Sequence, residues 1–328
     1  MVCGGPNWKI QDRFLDPATI RPVQIISRDS IEPCAFFDRH RDIGVTSVKI
    51  DPTGEWLTYS TADSVTRVSL HTGDAETFDV TDLEDVHELT VEGDVMFVAN
   101  TGRDEVVELD AGSGAIRARH SLDSLRSPRA RQIRSARVDS FHANQAFLGH
   151  DGHLMVLAHH AQGFRVLVHA QRQLVRHGSG GVLDLTTGVV HDLRLFGPHN
   201  VRRHANGWLI NNSGRKEVML LSPDWEVTGH LDLVGWGTGA AISDAGDVLF
   251  AGIRATRRRY ATADDRSETG VEIVPLDGGL RTFLPLRLVE QVNGVELCTP
   301  ALAKRVIDLP AGLPSMVDGT EAPPGAEV

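Results

Sequence analysis

The sequence is poor in the features that mark disulfide-rich, membrane-spanning and nucleic-acid-binding proteins. Its 328 residues include three cysteines, Cys3, Cys34 and Cys298, with no Cys-x-x-Cys spacing, so we expect reduced thiols and no cysteine metal site. No window approaches eighteen apolar residues, and no basic segment precedes an apolar one at the N-terminus, which predicts a cytoplasmic protein without a membrane partner. The formal net charge of −11 argues against a nucleic-acid partner, because phosphate binding needs a basic face.

Several catalytic signatures are missing as well. The chain has no Gly-x-Ser-x-Gly elbow, no glycine-rich phosphate loop and no His-Glu-x-x-His helix, which disfavours serine-hydrolase and nucleotide chemistry. Two arginine-rich segments, 125–137 and 254–259, are interpreted as solvated loops, with a cationic lid over an acidic substrate as the alternative.

Short apolar segments fill most of the chain instead. Segments such as EWLTYSTA, VTRVSLHT and EVMLLSPD are rich in Val, Leu, Thr or aromatic residues and are bounded by turn-forming residues, as strands are. No long helical period competes with them. The sequence therefore predicts an all-β protein.

The strand-like segments recur in a fixed order, with a short motif, an apolar strand, a glycine-containing turn and a second apolar strand. Copies marked at Thr46, His87, His142, His199, Thr238 and Asn293 are 41, 55, 57, 39 and 55 residues apart. Periods of roughly 40–55 residues are typical of the four-stranded blades of a β-propeller. Six copies predict six blades.

The predicted propeller covers residues 20–310 as a single domain, with an N-terminal extension at 1–19 and a disordered tail at 311–328. The sixth copy begins too close to the C-terminus to supply four strands. We therefore expect the N-terminal segments IRPVQIISR and PCAFFD to complete the last blade, which closes the ring and leaves no exposed sheet edge.

Three successive copies place a histidine where the innermost strand of a blade begins, at His87, His142 and His199. Innermost strands converge on the propeller axis, so these side chains are expected near one another. Imidazole is the commonest metal ligand, and three histidines with an open position are typical of a catalytic zinc or iron site. The alternative is that each histidine only hydrogen-bonds a neighbouring loop. Because His159 and His160 are consecutive at the end of a second strand, at most one of them is expected to face the channel.

Polar and aromatic residues near the same positions are the candidates for chemistry and substrate contact. Glu88 and Glu290 are the predicted proton acceptors, and Asp85 lies beside His87 as a residue able to orient its ring. The asparagines are equally consistent with turn residues, and Trp236 with packing between blades. The predicted substrate-binding residues are Asn144, Asn200, Trp236, Thr238, Gln291 and Asn293.

The segments DVHELTVEGDVMFVANT, FHANQAFLGHDG and VEQVNGVEL resemble a bacterial β-propeller family of unknown function over roughly residues 40–300. More loosely, the chain is similar to peptidyl-hydroxyglycine amidating lyases, six-bladed propellers whose histidine metal ligands would correspond to His87, His142 and His199. Carotenoid-cleaving oxygenases use four axial histidines, whereas three are recognisable here. Similarity to gluconolactonase-type hydrolases implies Glu88, Asn144 and either Asn200 or Asn293 as ligands of a divalent cation.

These observations together predict a metal-dependent lyase or hydrolase that acts on a small organic substrate at the axial mouth of the propeller. One divalent cation, zinc or iron, would be bound by His87, His142 and His199. The alternatives are an iron-dependent oxygenase with the same histidines, a gluconolactonase-like hydrolase with Glu and Asn ligands, and a non-catalytic propeller that binds a small ligand or a protein.

Overall fold

The six sequence copies form the six blades of a β-propeller, as predicted. The structure is a computed structural model, and it describes residues 1–6, 15–132, 139–163, 178–254 and 268–311. Within these residues, six antiparallel sheets of four strands each surround a central axis.

Blades one to three follow one another along the chain. Their strands are β4 (Ser47–Ile50), β5 (Trp56–Ser60), β6 (Val65–Ser69) and β7 (Ala75–Thr77) in blade one, β8 (Val86–Glu92), β9 (Val95–Asn100), β10 (Glu105–Asp110) and β11 (Ile116–Ser121) in blade two, and β12 (Ala143–Leu148), β13 (Leu154–Ala158), β14 (Gly180–Asp184) and β15 (Val190–Leu195) in blade three.

Blades four to six complete the ring. Their strands are β16 (Pro198–His204), β17 (Gly207–Asn212), β18 (Glu217–Leu221) and β19 (Val227–Asp232) in blade four, β20 (Trp236–Ile242), β21 (Val248–Arg254), β22 (Gly270–Pro275) and β23 (Thr282–Pro285) in blade five, and β24 (Gln291–Val295), β1 (Val2–Gly5), β2 (Val23–Ile26) and β3 (Ile31–Pro33) in blade six.

Blade six joins the two ends of the chain, and it differs in detail from the prediction. Its second strand is β1, which pairs with both β24 and β2, so residues 2–5 belong to the propeller although the sequence placed them in an N-terminal extension. IRPVQIISR supplies β2 as expected. PCAFFD instead forms the 3-10 helix Ala35–His40, because Phe36 and Phe37 are both buried and consecutive strand residues would point to opposite faces.

The innermost strands β4, β8, β12, β16, β20 and β24 contact one another in a closed ring. Glycine allows β20 and β24 to approach closely, since a Cβ on Gly239 would lie 3.1 Å from the backbone of Gly294. In β8, β12, β16 and β20 the pairing with the second strand shifts register near the start of the strand. Such bulges bend the strand and redirect side chains, here at one end of the channel.

Apolar clusters between the blades provide the core. One of them packs Phe36, Phe37 and Tyr59 with Val306 of the α-helix Pro300–Ile307. The three cysteines have free thiols, with Cys3 and Cys34 buried. No helix among the described residues is long and apolar enough to span a membrane. The other helices in the described part of the chain are the short α-helix Pro128–Gln132 and the 3-10 helices Pro17–Thr19, Thr101–Arg103, Leu122–Leu125 and Ser213–Arg215.

The predicted tail at 311–328 lies, beyond residue 311, outside the described residues. The same is true of positions 133–137 and 255–259 in the two arginine-rich segments.

Candidate functional site

Four histidines lie side by side at the mouth of the channel where the innermost strands begin, and we refer to His87, His142, His159 and His199 as the histidine row. The ring centroids of His87 and His142 are 4.9 Å apart, those of His142 and His159 are 4.5 Å apart, and those of His159 and His199 are 5.1 Å apart. The row therefore crosses from blade two through blade three to blade four.

Local backbone geometry aims these rings at the mouth. His87 and His199 lie at the bulges near the starts of β8 and β16. His142 directly precedes β12, and His159 directly follows β13. Four residues here have positive φ angles, which are uncommon for residues other than glycine: Asp85 (52°), Asp139 (51°), His142 (49°) and Asn200 (45°). Backbone strain of this kind is often found at functional sites.

Hydrogen bonds hold two of the rings in a defined orientation. The Nδ1 atom of His142 lies 2.7 Å from Oδ1 of Asp139. The Nδ1 atom of His199 lies 3.0 Å from the carbonyl oxygen of Gly197 and 2.8 Å from the hydroxyl of Ser213.

The partners of these two Nδ1 atoms identify the tautomers. A carboxylate and a carbonyl only accept hydrogen bonds, and the Ser213 hydroxyl already donates its hydrogen to the carbonyl of Gly237. Nδ1 therefore carries the proton in both His142 and His199. The lone pair remains on Nε2, which is the arrangement of metal-binding histidines whose other ring nitrogen is held by an acceptor.

Burial favours the neutral form of two rings of the row, His159 and His199. Burial, followed by the neighbouring His142 and His199, lowers the pKa of His159 well below its ordinary value. Burial, followed by the charge of Arg254, does the same to the pKa of His199. Neutral imidazoles at neutral pH are the form that binds metal ions.

At one end of the row, Asp85, His87 and His142 form a group with metal-site spacing. One potential ligand atom from each lies within 4.8 Å of the others, and no other such group of three was found among the described residues. Oδ2 of Asp85 is 3.6 Å from Nε2 of His87, and its side chain is half exposed to solvent. Of the three predicted ligands, His87 and His142 belong to this group, whereas His199 lies outside it, on the far side of His159.

Glu88, one of the two predicted proton acceptors, is buried in the channel and already paired. It accepts hydrogen bonds from the amide of Asn200 and, at 2.7 Å, from the guanidinium of Arg202. The ammonium group of Lys49 is 3.7 Å from the same carboxylate and 3.4 Å from that of Glu296. We refer to Lys49, Glu88, Arg202 and Glu296 as the ion-pair network.

The second predicted proton acceptor, Glu290, is also buried. Its carboxylate accepts a hydrogen bond from the backbone nitrogen of Leu15 at 3.1 Å, and it directly precedes β24. The structure thus places this side chain against the N-terminal part of the chain.

Three of the predicted substrate-binding residues connect neighbouring blades. Asn144 donates to the carbonyl of Pro198, Thr238 to that of Val292, and Asn293 to that of Val45. The amide oxygens of Asn144 and Asn200 are buried and have no hydrogen-bond partner.

Trp236 and Gln291 are the first residues of β20 and β24, so both lie at the same mouth as the histidine row. The ring centroid of Trp236 is 6.4 Å from that of His199, and the guanidinium of Arg254 lies 4.6 Å from the Trp236 ring. A Cβ on Gly197 would approach this indole to 3.1 Å, so the absence of a side chain there allows the ring to pack close. Trp236 therefore forms the wall of the mouth beyond His199.

His159 is the member of the row that was not predicted as a site residue. The alternation of strand residues indicated that at most one of His159 and His160 faces the channel. In the structure His159 takes that position, while His160 is buried with Nδ1 2.8 Å from the hydroxyl of Ser179. The strand topology could have indicated this position. Because the second strand of a blade is antiparallel to the innermost one, its end lies at the same mouth as the start of the innermost strand.

No protein-family model and no curated protein matches the sequence. Among solved structures, a nidogen–laminin complex superposes with a TM-score of 0.55 and 13% identity over 83% of this chain and 92% of that chain. A luciferin-regenerating enzyme superposes with a TM-score of 0.51 and 10% identity over 78% and 80% of the two chains. A streptogramin B lyase has a TM-score of 0.46 and 13% identity over 74% and 83%. At these identities, the first two similarities support the propeller fold alone.

Proposed function

We propose that this protein is a metal-dependent enzyme, a lyase or hydrolase that acts on a small organic substrate at the histidine mouth. One divalent cation is bound there by His87, His142 and His199. The observation that carries the proposal is the orientation of His142 and His199, whose Nδ1 atoms are held by acceptors and whose Nε2 atoms retain their lone pairs.

When bound, the cation polarises a substrate oxygen or lowers the pKa of a water molecule. Asp139 holds His142 in the ligating tautomer, and Ser213 holds His199 in the same way. Asp85 is the half-exposed carboxylate beside His87, so it is suited to accept a proton at the mouth. Glu88 is less suited to this role, because its buried carboxylate is already paired with Arg202 and Lys49.

One observation favours a second candidate, an iron-dependent oxygenase. Asp85, His87 and His142 are two histidines and one carboxylate within 4.8 Å of one another. Two imidazoles and a carboxylate on one face of an ion are the ligand set of non-haem iron oxygenases. Under this alternative Asp85 is a ligand rather than a proton acceptor.

Elemental analysis of protein purified without a metal-affinity tag tests the proposal. We expect about one equivalent of zinc or iron per chain. It should be lost in His142→Asn, which suits the positive φ angle at this position, and in His199→Ala. His120→Ala is the matched control, because His120 pairs with Glu108 on β10 away from the mouth and its loss should leave the metal in place.

The absence of any transition metal, even after incubation with zinc and iron salts, would contradict the proposal. It would favour a propeller that binds a ligand without catalysis. Metal retained in both folded histidine variants would show that the ion is bound elsewhere.

A further inference from the structure

The channel has a second mouth, where the innermost strands end, and a cavity of about 280 Å³ lies there. Ile50, Glu92 and Leu148, the last residues of β4, β8 and β12, line it together with Arg203 near the end of β16. We refer to it as the opposite-mouth cavity. Its volume corresponds to about nine water molecules of ~30 Å³ each, so it accommodates a small molecule.

The ion-pair network forms the floor of this cavity, and its charges are balanced. Lys49, Arg202 and Glu296 line the cavity, and their side chains are largely buried. Each of them is paired, either with Glu88 or with another member of the network. Because two cations face two carboxylates, the floor favours neither anions nor cations. Recognition of a ligand by charge therefore depends on the residues at the rim.

Two charged residues at the rim, Glu92 and Arg203, have no ion-pair partner among the residues that the structure describes. Glu92 is half-buried at the end of blade two. Arg203 is exposed, and its guanidinium donates a hydrogen bond to the carbonyl oxygen of Leu148 at 3.2 Å. This bond holds the guanidinium of a blade-four residue over the end of blade three. Both rim charges are therefore available to a ligand in the cavity.

Apolar side chains of blade three separate the two rim charges. Phe147 and Leu148, at the end of β12, line the cavity. Because β12 contacts both β8 and β16, these residues lie between Glu92 and Arg203. Trp208 extends the apolar wall, with its ring centroid 5.3 Å from that of Phe147. The cavity thus has a negative side, an apolar middle and a positive side.

We propose that the opposite-mouth cavity binds a small zwitterion whose ammonium and carboxylate groups are separated by an aliphatic body. The ammonium group pairs with Glu92, and the carboxylate pairs with Arg203, whose guanidinium offers parallel N–H donors. The body packs against Phe147 and Leu148. A ligand with a single charge pairs with only one rim residue, whereas a zwitterion pairs with both and leaves the network intact. This site lies across the network from the histidine mouth and does not depend on the proposed function.

The probe is 6-aminohexanoate, which carries an ammonium and a carboxylate at the two ends of an aliphatic chain. Hexanoate and hexylamine each keep one of these charges, and norleucine is an isomer with both charged groups on the same carbon atom. In a titration followed by ligand-observed NMR, 6-aminohexanoate should bind about tenfold more tightly than each of the other three, because only this probe makes both charge-assisted contacts.

Glutamine at each rim position should change the order of affinities in a different way. In Arg203→Gln the affinity for 6-aminohexanoate should fall to that for hexylamine, and hexylamine should bind as before. In Glu92→Gln it should fall to that for hexanoate. Arg28→Gln is the matched control, because Arg28 is exposed in the turn between β2 and β3, and this variant should bind every probe as the parent does.

Copper(II), which imidazole ligands bind well, is the probe for the histidine mouth, and both rim variants should bind it as the parent does. A parent protein that does not bind 6-aminohexanoate, or that binds hexanoate, hexylamine or norleucine equally well, would overturn the inference. So would unchanged 6-aminohexanoate affinity in either folded rim variant. These results would leave the proposed function standing, whereas a parent that binds 6-aminohexanoate but no copper, zinc or iron would contradict the proposed function alone.

Discussion

The histidine row and the ion-pair network occupy two parts of the central channel and are built on the same innermost strands, but their polar groups differ in pairing. Strand β8 supplies His87 to the histidine row and Glu88 to the ion-pair network, and β16 supplies His199 to the row and Arg202 to the network. In the network each charge lies within 3.7 Å of an opposite one. In the row, burial lowers the pKa of His159 and of His199, and one buried nitrogen, Nε2 of His159, has no hydrogen-bond partner.

The contrast separates polar groups that stabilise the fold from polar groups suited to bind a ligand. Paired charges satisfy each other and hold the innermost strands together across the axis. The opposite mouth of the channel contains the cavity of about 280 Å³. Three members of the network, Lys49, Arg202 and Glu296, line it together with Gln145 and Trp208. The buried nitrogen without a hydrogen-bond partner lies at the histidine mouth. The experiments below test whether the network stabilises the fold while the histidine row binds a ligand.

The largest effect is expected from removing the central charge of the network. Glu88→Ala leaves Arg202 and Lys49 without their buried partner, and breaking a buried ion pair in this way typically costs about 3–5 kcal/mol of unfolding free energy. Urea unfolding measures this loss. Copper binding at the histidine mouth should persist under native conditions.

Glu108→Ala is the matched control for Glu88→Ala. It removes a more exposed carboxylate, which pairs with His120 at 3.0 Å, and should cost less than about 1 kcal/mol. Equal losses in the two variants, or loss of copper binding in folded Glu88→Ala, would contradict the division of the channel.

The next effect concerns pH. The pKa values of His159 and His199 are depressed in the folded state, so the unfolded chain binds more protons below its ordinary histidine pKa of 6.5. Unfolding free energy of the metal-free protein should therefore be constant above about pH 7 and fall as the pH is lowered below 6.5. Each group contributes a slope of up to about 1.4 kcal/mol per pH unit. Urea unfolding with a chelator, from pH 7.5 to 5, measures this slope.

Replacing both residues tests the origin of the slope. The double variant His159→Gln, His199→Gln should flatten the profile in part. A residual slope is expected, because burial lowers the pKa of His40 to about 4 and also lowers the pKa of His191. A profile as steep as that of the parent would show that the row does not carry the pH dependence.

The smallest effect is expected from the carboxylate behind His142. Asp139→Asn retains the size of the side chain and tolerates the positive φ angle of 51°. It removes the charge that supports the ligating tautomer, so copper affinity should fall about 10–100-fold with little change in stability. Titration of copper against a competing chelator measures it.

Asp151→Asn is the control for that variant. Asp151 pairs with His153 at 3.1 Å in an exposed turn outside the histidine mouth. Copper affinity at the mouth should not change in this variant. An equal loss in both would indicate a general electrostatic effect rather than support of one ring.

Much of the site could be anticipated because the repeat places equivalent residues at equivalent positions. The recurrence of His87, His142 and His199 at the start of successive innermost strands identified the mouth before any coordinates. His159 could not be assigned in this way. It ends a second strand next to another histidine, and which of the two faces the channel depends on the pairing of β12 with β13 and on the bulge in β12.

The sequence also could not predict the ion-pair and hydrogen-bond partners of the candidate site residues. Glu88 directly follows a row histidine, yet it pairs with Lys49 and Arg202 from two other blades. Asn144, Thr238 and Asn293 match the pattern of substrate-binding residues, yet their side chains donate to carbonyls of the next blade. Such contacts join residues far apart in the chain.

The sequence by itself determined the number of blades and the end of the channel that carries histidines. These follow from the apolar alternation within each segment and from the repetition of similar segments along the chain, both of which are visible without knowledge of contacts between distant residues. Only the tertiary structure decided that residues 2–5 form a strand of blade six, that Asp85 and Asp139 flank the histidines, and that His159 lies between His142 and His199. The physical reason is that closing the ring brings together residues from different blades at distances of a few ångströms.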